Sequence, residues 1–102
     1  RRKRLMGIRD RDEPARQFFY MPLMHSESLT DQERAVRLIL TRLPNGKATQ
    51  LPHAQAHRDI IREFGRFPAR NEALCRRSTP PEEAYQLSGG YRITLEAVSK
   101  AP

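Results

Sequence analysis

Apolar positions along the chain fall into short clusters separated by proline and glycine, and the clearest cluster has helical spacing. Val36, Ile39, Leu40 and Leu43 recur at i, i+3, i+4 and i+7, which places them on one face of a helix. Thr30 and Glu33 ahead of them have the spacing of a capping box, so a helix is predicted over 31–42. Upstream, Asp12 can cap a helix with Glu13 and Pro14 in its first turn, carrying Phe18, Phe19, Met21, Leu23 and Met24 until Pro22 kinks or ends it. The stretch PNGKATQLP, residues 44–52, reads as a loop. A third helix is predicted over 53–64, with Ala56, Ile60 and Phe64 inward and Gly65 stopping it. Pro68 starts a brief helix reaching Leu74, and the Thr79–Glu82 capping box around Pro80 starts another over 80–87, closed by Gly89 and Gly90. The last segment, YRITLEAV, alternates Tyr91, Ile93 and Leu95 with polar residues and so suggests a strand, which with nothing to pair with would be an edge or a ragged tail.

These elements predict an all-α fold of short antiparallel helical hairpins. Composition sets its scale: of 102 residues, 37% are apolar, so one small domain is the most the chain can build. The expected division is a basic tail over 1–11, a helical domain over 12–87 and an irregular tail over 88–102. No apolar run approaches the eighteen residues that span a membrane. No secretory signal peptide is visible, and the single Cys75 excludes an internal disulfide, so a cytoplasmic protein is expected.

The net charge of +7 and pI near 10.5 invite a nucleic-acid reading, but the charge is a terminal matter. Residues 1–11 hold six basic side chains against Asp10, a net +5, whereas the other 91 residues hold 13 basic and 11 acidic side chains. Mixed charge of that kind is the ordinary solvated surface of helices, and no nucleic-acid partner is expected. The run RRKRLMGIRDR resembles translated sequencing-library adapter, so the start is set aside from functional reasoning, with a basic helix or localisation signal as the other reading.

Three segments, FFYMPLMHSESLTDQER at 18–34, HRDIIREFGRFPARNEAL at 57–74 and STPPEE at 78–83, resemble the C-terminal half of the bacterial family called domain of unknown function 924. The resemblance implies a tetratricopeptide-like helical fold without an established activity, in proteins nearly twice this length, and hence a partial domain. The segment GRFPARN at 65–71 resembles a second copy of a motif from the family's first half, as stacked hairpins would have. The chain departs from the family pattern where Ala69 replaces a frequent His, Cys75 a frequent Gly and Ser28 a frequent Asp.

Two polar clusters are candidates for chemistry. His25, Ser26 and Glu27 sit at a helix junction, where polar side chains either converge on a ligand or cap free backbone groups. Arg58, Arg66, Arg70 and Asn71 surround a Phe-Pro turn, where guanidinium groups can clasp phosphate or carboxylate, or brace the corner through Asp59, Glu63 or Glu72. His53 and His57 lie one turn apart and are weak metal candidates lacking a third ligand, so no metal and no cofactor is expected. Cys75, between Leu74 and two arginines, reads as a small half-buried apolar residue. Two functions remain open, of which the first is preferred. One is a non-catalytic scaffold whose apolar face docks a protein partner, the missing N-terminal half or a second copy. The other is a small-anion or metal-binding enzyme using His25, Ser26, Glu27, His57, Arg66, Arg70 and Asn71. The separation of His25 from His57 discriminates them.

Overall fold

In a computed structural model of the chain, residues 20–100 are described. The predicted Asp12 cap, Phe18, Phe19 and the basic tail lie outside them. The described residues are helical throughout their regular elements, without strands. Residues 20–24 form a helical turn, followed by α1 (Leu29–Arg42), α2 (Lys47–Phe64), a 3₁₀ turn (Pro68–Arg70), α3 (Pro80–Leu87) and α4 (Tyr91–Lys100).

The α1–α2 hairpin is the scaffold. A four-residue connection forces α2 to run back along α1, and the Arg62–Glu33 ion pair at 3.0 Å joins the end of one helix to the start of the other. Ala35, Val36 and Ile39 of α1 and Leu43 at its C-cap pack with Ala54 of α2 and with Tyr20 and Met24 of the leading turn. A smaller core of Ile60, Ile61 and Phe67 lies under Phe64, Tyr85 and Tyr91, joining α2 to the 3₁₀ turn, α3 and α4. Both clusters are small, as a chain of this composition allows.

Several expectations are met in detail. Gly65 ends α2 in the left-handed region, φ 77°, with its N–H donating to Ile61 O at 2.8 Å. Thr79 and Glu82 form the complete capping box of α3. Gly89 takes φ 127°, where a Cβ would stand 2.9 Å from Ile93 Cγ1, so the α3–α4 corner requires glycine there.

Others are corrected. Helix α1 starts two residues early, because Ser28 rather than Thr30 is its N-cap and accepts from Asp31 N–H at 3.4 Å. Leu40 is 47% exposed. The buried face of α1 is centred on Gln32, Ile39 and Leu43, and at 100° per residue Leu40 sits roughly 80° round from it. The loop predicted over 44–52 is mostly helix, since α2 begins at Lys47 and runs through Pro52. Proline removes one backbone donor, but Ala54 is fully buried beyond it and Leu51 packs on the α1 cluster, so packing overrides the local penalty. The helix from Pro68 is only a 3₁₀ turn, and Leu74 is exposed. The irregular tail predicted from 88 onward contains α4, whose half-buried positions Tyr91, Thr94, Leu95 and Val98 follow a period near 3.6 rather than 2.

Cys75 is exposed, not half-buried, and it is the only non-glycine residue among those described with positive φ, 56°. An L-residue there costs about 1–2 kcal/mol, partly offset by the chain entropy glycine would add. Cys75→Gly is therefore expected to stabilise by about 0.5–1 kcal/mol, read as a melting temperature higher by roughly 2–6 °C. An unchanged or lower melting temperature would contradict this.

Candidate functional site

Glu27, in the junction after the leading helical turn, reaches the Phe-Pro turn 40 residues away. Its Oε2 accepts from Phe67 N–H at 2.9 Å, and both oxygens take a fork from Arg76, at 2.8 and 2.9 Å. Arg76 Nε donates to Asn71 Oδ1 at 3.0 Å, and Asn71 Nδ2 donates to Glu82 Oε1 at 3.2 Å. Glu82, only 3% exposed, also receives a fork from Arg66 at 2.8 Å on each oxygen and the Thr79 N–H at 2.9 Å. The result is one continuous clasp, Glu27–Arg76–Asn71–Glu82–Arg66. Each carboxylate is stabilised by a bidentate guanidinium, the stronger kind of charged hydrogen bond. The Arg76 guanidinium holds Glu27 at about 2, and Arg66 with the Thr79 N–H holds Glu82 at about 2, against an ordinary 4.5.

This clasp decides the fate of most predicted anion-binding residues. Arg66 and Asn71 are committed to Glu82, an internal anion. Arg58 pairs with the adjacent Asp59 at 3.2 Å. Ser26 donates to Asp31 Oδ2 at 2.8 Å and accepts the Ser28 N–H at 3.1 Å, which is a capping role. Glu27 is a brace. Arg70 alone of the four anion-binding candidates keeps its guanidinium exposed without a hydrogen bond to another described residue.

On the other side of the same turn the predicted histidines meet. The rings of His25 and His57 lie 5.6 Å apart, centroid to centroid, and both line a cavity of about 440 Å³ that also reaches Arg70. Its walls are apolar and aromatic, from Ile60, Phe67, Pro68, Tyr85 and Tyr91. His57 stacks on Tyr91 at 5.1 Å and meets the edge of Phe67 at 5.6 Å. Its Nδ1 is buried without a hydrogen-bond partner. Burial, with His25 and His53 nearby, pushes the imidazole down from 6.5 to about 4. At pH 7 this ring is neutral and too weak a base to draw protons from ordinary substrates. His25 donates from Nδ1 to Met21 O at 2.9 Å.

His53 and His57 do share a helical face, but what they share on it is Tyr91, whose hydroxyl bonds His53 Nδ1 at 2.6 Å. Among the described residues no group of three or more His, Cys, Asp or Glu side chains can hold a metal ion. No described helix is long and apolar enough to cross a membrane.

Residues 4–90 match the family of bacterial proteins of unknown function, DUF924. The chain belongs to that family. No curated protein matches it. A solved structure of a protein of unknown function from Agrobacterium tumefaciens is 41% identical with a TM-score of 0.72, over 84% of this chain and 47% of that one. The chain thus spans about half the length of that relative.

Sequence reasoning missed four participants: Arg76 and Glu82 in the clasp, and Tyr85 and Tyr91 in the cavity. Glu82 was visible only as a helix cap. Tyr91 becomes a wall residue once α4 is read with helical periodicity, since Tyr91, Thr94, Leu95 and Val98 then share one side.

Two outcomes follow for acid titration. Folded-state carboxyl values near 2 mean that the clasp's contribution is complete above about pH 5 and is lost as pH falls toward 2. Glu82→Gln is expected to cost about 2–4 kcal/mol at pH 7 and to flatten that acid limb, while Glu83→Gln, on the exposed side of α3, does neither. Denaturant titrations from pH 2 to 7 measure both effects. Separately, the ring resonance of His57 should titrate with a midpoint near 4 in ¹H–¹³C spectra, and a midpoint above 6 would contradict the buried, neutral ring.

Proposed function

We propose that the chain carries a binding pocket for a small organic anion, built where the His25 junction meets the Phe67–Arg70 turn. The observation that carries this reading is the 5.6 Å approach of His25 to His57 over a cavity that also holds Arg70. A cavity of about 440 Å³ falls in the range used for small ligands, roughly 300–1,000 Å³, and mixes apolar walls with a few polar groups as such sites do. The low basicity of His57 favours binding through that ring over proton transfer by it.

A second reading, a non-catalytic scaffold docking a protein partner, a second copy or the other half of a longer family protein, draws on exposed leucines. Leu87 is 89% exposed and Leu40 and Leu74 nearly half so. The antiparallel α1–α2 hairpin supports a tetratricopeptide-like arrangement corresponding to the later half of the family's proteins, and the exposed free thiol of Cys75 supports a reducing, cytoplasmic setting. The leucines are scattered over α1, the turn and α3 rather than gathered around one groove, so the pocket is the better-supported site.

A fragment library screened by saturation-transfer NMR against the 102-residue chain is the test. Binders are expected whose contacts map to the rings of His57, Phe67 and Tyr91, with melting temperature rising with fragment concentration. Absence of any fragment at those rings would remove the pocket reading and leave the scaffold.

A further inference from the structure

The residues around the cavity restrict what the pocket can hold, and this deepens and rests on the preceding reading. Charge comes first. Arg58, Arg66 and Arg76 are each neutralised by an internal carboxylate, from Asp59, Glu82 and Glu27 respectively. Of the cavity's own residues only Arg70 carries a permanent positive charge, and His57 is neutral. Glu27 lies near enough to Arg70 to feel its field. A dianion would therefore carry one negative charge beyond what the single guanidinium of Arg70 compensates.

Backbone donors point the same way. Phosphate sites in turns rely on several free N–H groups converging on the anion. Here the Phe67 N–H is taken by Glu27, proline removes the donor at residue 68, the Arg70 N–H donates to Phe67 O at 3.0 Å and the Asn71 N–H donates to Pro68 O at 3.0 Å. Of the turn's donors only the Ala69 N–H is not taken up by these bonds, and a single amide does not make the converging set that phosphate needs.

Shape completes the restriction. Phe67, Tyr85 and Tyr91 present aromatic surface, and burial pushes both phenols up, so they stay uncharged at neutral pH. Tyr85 is fixed by a hydrogen bond to Thr94 Oγ1 at 2.7 Å and Tyr91 by His53 at 2.6 Å, so this wall is held in place before a ligand arrives. Flat apolar ligands gain most from such preformed aromatic walls.

We propose that the cavity takes a flat monocarboxylic acid, its carboxylate on Arg70 and its apolar ring system against Phe67, Tyr85 and Tyr91. The guanidinium fork matches one carboxylate in geometry and in charge.

The test uses the full 102-residue chain and four probes, 2-naphthoate, the uncharged 2-naphthamide, phenyl phosphate and inorganic phosphate, with affinities from NMR titration. Naphthoate is expected to bind with saturation transfer from the Tyr85 and Tyr91 rings, about tenfold or more tightly than naphthamide. Arg70→Gln should remove that advantage while keeping the parent's melting curve, since its guanidinium makes no hydrogen bond to another described residue. Arg92→Gln, on exposed α4 surface beside Glu96, should leave affinity unchanged. Equal binding of acid and amide, or indifference to Arg70→Gln, overturns the carboxylate assignment but leaves the pocket standing. So does tighter binding of either phosphate probe. If none of the four binds, the carboxylate assignment falls, and an accompanying blank in the fragment screen removes the pocket as well.

Discussion

The bidentate grip of Arg76 on Glu27 ties the junction after the leading helical turn to the Phe-Pro turn 40 residues later, and the rest of the site depends on it. The cores beneath these two stretches are small and separate, one under the junction and one under the turn. Glu27 adds register by binding a side chain and a backbone amide at once, so the position of the Phe67 ring follows from the position of the junction. Asn71 and Glu82 extend the same network to the start of α3, which gives a small domain a fixed corner without a large core.

The clasp also explains why an arginine-rich turn is a poor general anion site. Guanidinium groups that look available in one dimension are matched in three by carboxylates from distant segments, leaving Arg70 as the unmatched one of the candidates. The side of the turn facing away from the clasp is therefore dominated by rings, with His25 and His57 brought together at a tilt of 54° beside an apolar cavity. Polar clustering on one side and aromatic clustering on the other are two consequences of one corner. Membership of DUF924 places this corner in a family of bacterial proteins of unknown function, and the chain spans about half the length of the similar solved chain.

Much of the helical framework was legible along the chain because its signals are local. The α3 capping box and the Gly65 stop each involve residues within four positions of one another, and such contacts survive in any tertiary setting. The errors arose where local preference opposed packing. Pro52 argued for a loop, yet Ala54 and Leu51 are needed against α1; period-two alternation argued for a strand, yet Tyr91 and Leu95 gain burial only as a helix lying along α2.

For the site, residue types and spacing identified the two polar stretches and the histidines, since polar groups at helix junctions and a charged Phe-Pro turn are visible without coordinates. Their roles were decided only by the fold. Whether an arginine binds a ligand or an internal carboxylate depends on which distant acid lies within about 3 Å, and that distance is set by how the hairpin and the corner pack, not by any neighbour in the chain. The sequence by itself determined which segments coil and where they stop; the tertiary structure decided which charges cancel and which rings share a cavity, because cancellation and stacking are relations between segments that only packing brings together.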